Sequence, residues 1–119
     1  MTWQNWEDAG LEYDSTLAFA DHVGFRSGTC YEHPVFNLQT RTSLRLRERP
    51  LVVMDASLLE YQQIDLGAAP DEIARLARTV RRYNGQMTLL WHNDRLLSHR
   101  SRRAYRRSLA AASDPWLTR

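Results

Sequence analysis

The chain has 119 residues, of which 43% are hydrophobic and 25% charged, and its formal net charge is +2. These values are typical of a soluble globular protein with a single domain over residues 1–119. No apolar run approaches the roughly 20 residues of a membrane span, residues 1–8 lack the features of a secretory signal, and one cysteine, Cys30, excludes an internal disulfide and a multi-cysteine metal site. The cytoplasm is therefore the default expected location.

The first third of the chain predicts short elements joined by loops. Residues 7–10 are typical of the end of a helix, and residues 11–16 form a short strand that carries Asp14 near its polar end. Residues 21–30 are rich in glycine and small side chains and predict an irregular loop over the strand ends. A chain that opens on a helix end suggests a piece of something longer.

The middle third contains the first clear buried strand. Residues 33–38 form a short extended piece, because the residue before a proline avoids the helical region. Residues 39–49 alternate arginine with leucine, which indicates an exposed connection or a weak edge strand. Residues 50–55 are apolar up to Asp55 and predict a buried strand.

The last third predicts a helix, a strand and a second helix. Residues 70–83 begin with proline and two acids, end with arginines and carry an apolar face at helical spacing. Residues 87–93 are apolar until His92 and predict a strand buried on both faces. Residues 96–112 predict the last helix. The alternation of strands and helices favours an α/β fold with parallel strands and helical crossovers.

Three ionisable residues lie at the predicted carboxyl ends of strands: Asp14, Asp55 and His92. Side chains at the carboxyl ends of parallel strands converge, and a carboxylate beside a histidine fixes its tautomer and supports proton transfer. Arg26, in the glycine-rich loop, could steady a carboxylate or a developing negative charge. The structural alternative is that both aspartates cap turns and that His92 is a satisfied structural residue.

Other single residues indicate chemistry less strongly. Cys30 is more typical of a small buried residue than of a nucleophile, and the spacing of His22 and His33 matches no metal site. Trp91 is a candidate substrate contact, although a core position is the commoner use of such a residue.

All sixteen basic residues are arginines, and six of them fall between Arg95 and Arg107 with no acid among them. Arg95, Arg102 and Arg106 share a rough stripe on the predicted helix. This pattern is consistent with a solvated helix face or with binding to an anionic partner. We do not expect nucleic acid binding, because no aromatic ladder or fold signature accompanies the arginines.

Four stretches together resemble a known family. Residues 6–17, 24–30, 50–55 and 89–93 resemble, in that order, the C-terminal half of polysaccharide deacetylase (NodB-homology) proteins, and the resemblance covers roughly residues 3–94. It implies an irregular (β/α) barrel. A complete barrel takes about 250 residues, so this chain is expected to form a partial barrel that is truncated at its N-terminus and self-associates through exposed sheet edges.

The resemblance also implies an activity and roles for particular residues. Members of the family use a divalent metal, often zinc, to remove N-acetyl groups from sugar polymers. Leu90, Trp91 and His92 match the leucine-x-histidine motif, so that His92 would be the general acid. Asp14 would orient His92, and Asp55 competes for that role.

The family's metal and base motifs have no counterpart in the sequence. An aspartate pair, a two-histidine metal motif and an arginine motif would all precede residue 1, so no metal ligand is assigned. The chain is therefore expected to be inactive alone, or active only with a partner that supplies the missing half. A non-catalytic module that binds an anionic partner through its arginine-rich helix is the alternative, and a gene fragment without its own role is a third.

Overall fold

The computed structural model describes residues 2–113, which contain five short strands and three α-helices. In chain order the elements are α1 (Thr2–Asp8), β1 (Tyr13–Asp14), β2 (His33–Asn37), β3 (Thr42–Glu48), β4 (Val53–Met54), α2 (Ala69–Arg82), β5 (Leu89–Leu90) and α3 (His99–Ser113). A π-helical segment, Ser57–Tyr61, follows β4, and a 3-10 turn, Asn93–Leu96, follows β5.

The strand β3 is the centre of a three-stranded mixed sheet, in which it pairs in parallel with β1 and antiparallel with β2. Its side chains alternate between two faces, and Leu44, Leu46 and Glu48 are all buried. The alternation seen in the sequence is therefore that of a central strand with one covered face. The prediction of an exposed connection or weak edge strand over residues 39–49 is wrong.

Helix α1 covers the buried face of this sheet. Trp3 and Trp6 pack against the cluster formed by Val35, Leu44 and Leu46. The helix also satisfies strand backbone groups, because a carboxylate oxygen of its Glu7 accepts the backbone N–H groups of residues 45 and 46 at 2.5 and 2.9 Å.

A separate two-stranded sheet pairs β4 with β5 in parallel, with Val53 opposite Leu89 and Met54 opposite Leu90. Helix α2 connects the two parallel strands as a crossover, and it corresponds to the helix predicted over residues 70–83. Its apolar face packs against β4 and the segment after it, and the buried members of this core include Val52, Val53, Leu58, Ile73, Leu76 and Val80. The strand β5 is less buried than expected, since Leu90 is 40% exposed.

Helix α3 packs along α2 through small side chains. Ala104, Ser108 and Ala111 are buried in it, and a guanidinium nitrogen of Arg81 on α2 donates a hydrogen bond of 2.9 Å to the carbonyl of Ala112. The helix predicted over residues 96–112 is thus present, but it begins at His99.

The predicted partial (β/α) barrel is contradicted by the sheet topology. Over residues 2–113 the strands form two separate sheets, one mixed and one a parallel pair, and neither closes. Only the β4–α2–β5 unit has the expected parallel strands with a helical crossover. Over the same residues, no helix is both long enough and apolar enough to cross a membrane.

Candidate functional site

The candidate site lies at the carboxyl end of the parallel pair β4–β5. Because the two strands are in register, Asp55 follows β4 at the same edge where Trp91 and His92 follow β5. The Asp55 side chain is fully buried, whereas that of His92 is 44% exposed. The site therefore combines a desolvated carboxylate with an imidazole that solvent can reach.

Three hydrogen-bonding groups and one cation surround the Asp55 carboxylate. Its Oδ1 atom lies 2.5 Å from His92 Nδ1 and accepts the backbone N–H of Ala56 at 2.9 Å. Its Oδ2 atom accepts the backbone N–H of His92 at 3.0 Å and lies 3.2 Å from Arg95 Nε. A buried carboxylate needs such compensation, since an unpaired buried charge costs several kcal/mol.

The contact with Asp55 fixes how His92 can act. An ionised carboxylate only accepts hydrogen bonds, so His92 Nδ1 carries a proton that it donates to Asp55. The second ring nitrogen, Nε2, has no hydrogen-bond partner among residues 2–113. It can therefore take up a proton from a ligand, or donate one to it.

Arg95 and Glu60 extend this pair, and both were missed from the sequence as site residues. Arg95 stands in the turn after β5 and forms an ion pair with Glu60, on the π-helical segment, as well as with Asp55. These two carboxylates hold the pKa of Arg95 above its ordinary value. The position of Arg95, three residues after His92, could have indicated that Arg95 belongs to the site. Nothing in the sequence indicated the same for Glu60.

Asp14, the other predicted partner of His92, lies in the other sheet. Its Oδ2 atom accepts hydrogen bonds from Trp3 Nε1 at 2.6 Å and from Thr16 Oγ1 at 2.8 Å. Asp55, not Asp14, contacts His92, because β1 pairs with β3 and not with β4.

Glu48 lies beside Asp14 on the neighbouring strand and is 1% exposed. Its Oε1 atom accepts the backbone N–H of Leu17 at 3.2 Å, whereas its Oε2 atom has no partner among residues 2–113. Burial, and then the neighbouring Asp14 carboxyl, raise the pKa of Glu48 to about 7. The two carboxyls form a buried structural pair beneath α1.

The predicted substrate contacts, Arg26 and Trp91, make other interactions. Arg26 donates a 2.6 Å hydrogen bond to the carbonyl of Ala18 and so braces its own loop. Trp91 packs against the core and against Tyr105, with ring centroids 5.5 Å apart, although its Nε1 atom is buried without a hydrogen-bond partner among the described residues. Cys30 is buried.

The positions of the histidine, cysteine, aspartate and glutamate side chains decide whether the described residues can hold a metal ion. Within residues 2–113, no group of three or more histidine, cysteine, aspartate or glutamate side chains is placed to hold an ion. His22 Nδ1 lies 2.7 Å from Asp21 in an exposed pair, and His33 Nδ1 lies 3.1 Å from the carbonyl of Tyr31. The zinc site implied by the resemblance does not fit these residues.

Comparison of the chain with protein families, with curated proteins and with solved structures found no match.

Proposed function

We propose that Asp55 and His92 form the proton-transfer pair of a carbohydrate de-N-acetylase, which hydrolyses the amide bond of an N-acetylated sugar. The observation that carries this proposal is the 2.5 Å contact between the buried Asp55 carboxylate and His92 Nδ1, with the imidazole partly open to solvent. The substrate class comes from the resemblance to polysaccharide deacetylases over residues 3–94.

Amide hydrolysis requires a proton donor for the departing amine, and such a pair can serve as one. When the C–N bond breaks, the amine leaves readily only if its nitrogen gains a proton. Protonated His92 donates that proton from Nε2 to the departing nitrogen. His92 Nδ1 meanwhile keeps its own proton, which it donates in the hydrogen bond to Asp55. This bond also fixes the orientation of the ring.

Water activation is assigned to no group within residues 2–113, because the donor set does not fit the family's metal. We therefore propose that the chain does not deacetylate by itself and that a partner, or residues outside this range, would provide that part of the site. Acetate release from an N-acetylglucosamine oligomer by the wild-type chain with added zinc would refute this inactivity. Loss of that release in His92→Gln would then assign the acid role to His92.

Substrate recognition can be tested without turnover by NMR of protein labelled with ¹⁵N in its histidines. The chain has four histidines, so the other three, His22, His33 and His99, are internal controls. We expect a millimolar N-acetylglucosamine oligomer to shift the ring signals of His92 alone, and the deacetylated glucosamine oligomer to shift them less. Unchanged His92 signals, or equal shifts of all four histidines, would contradict the proposed substrate class.

A second candidate function, binding of an anionic polysaccharide, is favoured by the surface of the two long helices. Arg78 on α2 and Arg107 on α3 line one groove with an alanine-rich floor, and one acid, Asp71, also lines it. Three neighbouring arginines of α3 are exposed and have no carboxylate partner among residues 2–113: Arg103, Arg106 and Arg107. Charge complementarity would attract a sulfated or carboxylated chain there.

The arginine stripe expected from the sequence is only partly available for such binding. Arg102 donates hydrogen bonds of 3.0 and 3.2 Å to the carbonyls of residues 96 and 97, and Arg95 is paired at the site. The test is retention on immobilised heparin at increasing salt. We expect Arg103→Gln with Arg107→Gln to elute at lower salt than the charge-matched pair Arg41→Gln with Arg45→Gln; identical elution would contradict this function.

Self-association is part of the same proposal, because exposed apolar residues accompany open sheet edges. Phe36 on the edge strand β2 is 52% exposed, and Leu38 just beyond it is 83% exposed. Sedimentation at increasing concentration should detect oligomers, and a monomer throughout would contradict the prediction. A cytoplasmic location stays a prediction that cell fractionation would test.

A further inference from the structure

The arginine next to the proton-transfer pair has a role that neither the sequence nor the resemblance assigns. Arg95 Nε lies 3.2 Å from Asp55 Oδ2, on the opposite carboxylate oxygen from the one that accepts His92 Nδ1. Asp55 is thus held between a permanently charged guanidinium and an imidazole whose charge depends on proton uptake.

Arg95 and protonated His92 can each neutralise the same buried carboxylate, that of Asp55. A fully buried carboxylate requires a positive neighbour, and without Arg95 the only one in contact among residues 2–113 would be the His92 imidazolium. Asp55 would then hold His92 in its charged form. With Arg95 present, the carboxylate is already neutralised, and His92 can lose its proton without leaving an unpaired buried charge.

We infer that Arg95 is a positioning residue for His92: it neutralises Asp55, so that the imidazolium gives up its Nε2 proton more readily, and Glu60 moderates this effect. Glu60 holds the far side of the guanidinium and is 57% exposed. Asp94, the neighbour of Arg95 in the turn, adds a further negative charge. The segment that carries Glu60 is π-helical, a conformation that is frequent at functional sites.

This inference rests on the proposed proton-transfer role of His92 but not on the identity of the sugar. The probe is therefore chemical: diethyl pyrocarbonate acylates only the neutral imidazole, and mass spectrometry reports the rate at each of the four histidines. At a fixed neutral pH, Arg95→Gln should slow modification of His92 by roughly three- to ten-fold, because one nearby charge changes a proton equilibrium by about this much.

Two further variants separate charge from structure. Arg95→Lys keeps the positive charge, so His92 should be modified at close to the wild-type rate. Glu60→Gln removes one of the two carboxylates that pair with Arg95, so the guanidinium should neutralise Asp55 more fully and the rate of His92 modification should be equal or higher. Modification of His22, His33 and His99 in the same samples should be unchanged. A purely structural role predicts the opposite sign for Arg95→Gln, since loosening the site exposes the ring and speeds its reaction.

The inference is overturned if His92 in Arg95→Gln reacts at the wild-type rate or faster, or if Glu60→Gln slows the reaction. Its failure is distinguishable from failure of the proposed function. If the oligomer still shifts only the His92 signals while Arg95→Gln has no effect on reactivity, the sugar site stands and the role of Arg95 does not.

Discussion

Replacement of Glu48 by glutamine should remove a large part of the pH dependence of stability. Glu48 is buried beside Asp14, and its pKa rises from 4.5 to about 7 on folding. The folded protein therefore keeps this proton over a pH range in which the unfolded chain has lost it. Because the unfolded state ionises first, the stability that Glu48 contributes is full below pH 4.5 and is lost as the pH rises to about 7.

The size of the effect follows from the same shift. At about 1.4 kcal/mol per pKa unit, raising the pKa from 4.5 to about 7 corresponds to a loss of about 3 kcal/mol across this range. Glu32 does not contribute in that window, because Arg49 and then Arg47 hold its pKa below its usual range. Glutamine in place of Glu48 has the shape of the protonated carboxyl but cannot ionise, so it should remove the loss.

Urea unfolding followed by tryptophan fluorescence, at about pH 4 and about pH 8.5, measures this difference. We expect the two proteins to have nearly equal free energies of unfolding at the lower pH and Glu48→Gln to be more stable by about 3 kcal/mol at the higher pH. Histidines titrate in the same range, but they are common to both proteins and cancel in the comparison. The same pH dependence in both proteins would refute the assignment of a buried proton to Glu48.

Three further substitutions test the packing around the two sheets. Trp3→Phe should cost about 2 kcal/mol in urea unfolding, since it removes the 2.6 Å hydrogen bond to Asp14; an unchanged midpoint would show that α1 is not held by this bond. Gly85→Ala should lower the thermal midpoint, because a Cβ atom there would overlap Cys30 Sγ and lie 2.9 Å from Cys30 Cβ. Cys30→Ala removes Sγ and should restore part of the loss. Asp55→Asn should cost about 3 kcal/mol because the amide loses the charge-assisted hydrogen bond from His92 and the ion pair with Arg95, and a smaller loss than in Trp3→Phe would argue against an ionised Asp55.

The sequence predicted that Asp55 and His92 would meet at one edge, with Asp14 as the alternative partner of His92, and the part of this prediction that concerns Asp55 depends on a local unit. Two apolar runs joined by an amphipathic helix form parallel neighbours, and the residues after the two strands then meet at one edge. The same rule failed for Asp14, because which strands become neighbours depends on tertiary packing. The strand β1 pairs with β3 instead, and the sequence of residues 11–16 does not indicate which strand they will pair with.

The sequence also contained a signal for Glu48 that was not used. Leu44 and Leu46 alternate with arginines, and Glu48 continues the same period of two into the buried face. A charged residue in such a position is normally assumed to be exposed. Here Asp14 and the backbone of Leu17 surround it instead, which requires a fold in which a distant strand and loop close over the end of β3.

The candidate site does not depend on the barrel that was wrongly predicted. What brings the carboxylate to the imidazole is a single strand–helix–strand unit, in which α2 returns the chain so that β5 lies beside β4. Arg95 and Glu60 come from the turns that follow these same two strands. The four groups Asp55, Glu60, His92 and Arg95 therefore all belong to residues 53–96. This local origin explains why the contact between Asp55 and His92 is present although the predicted barrel is not.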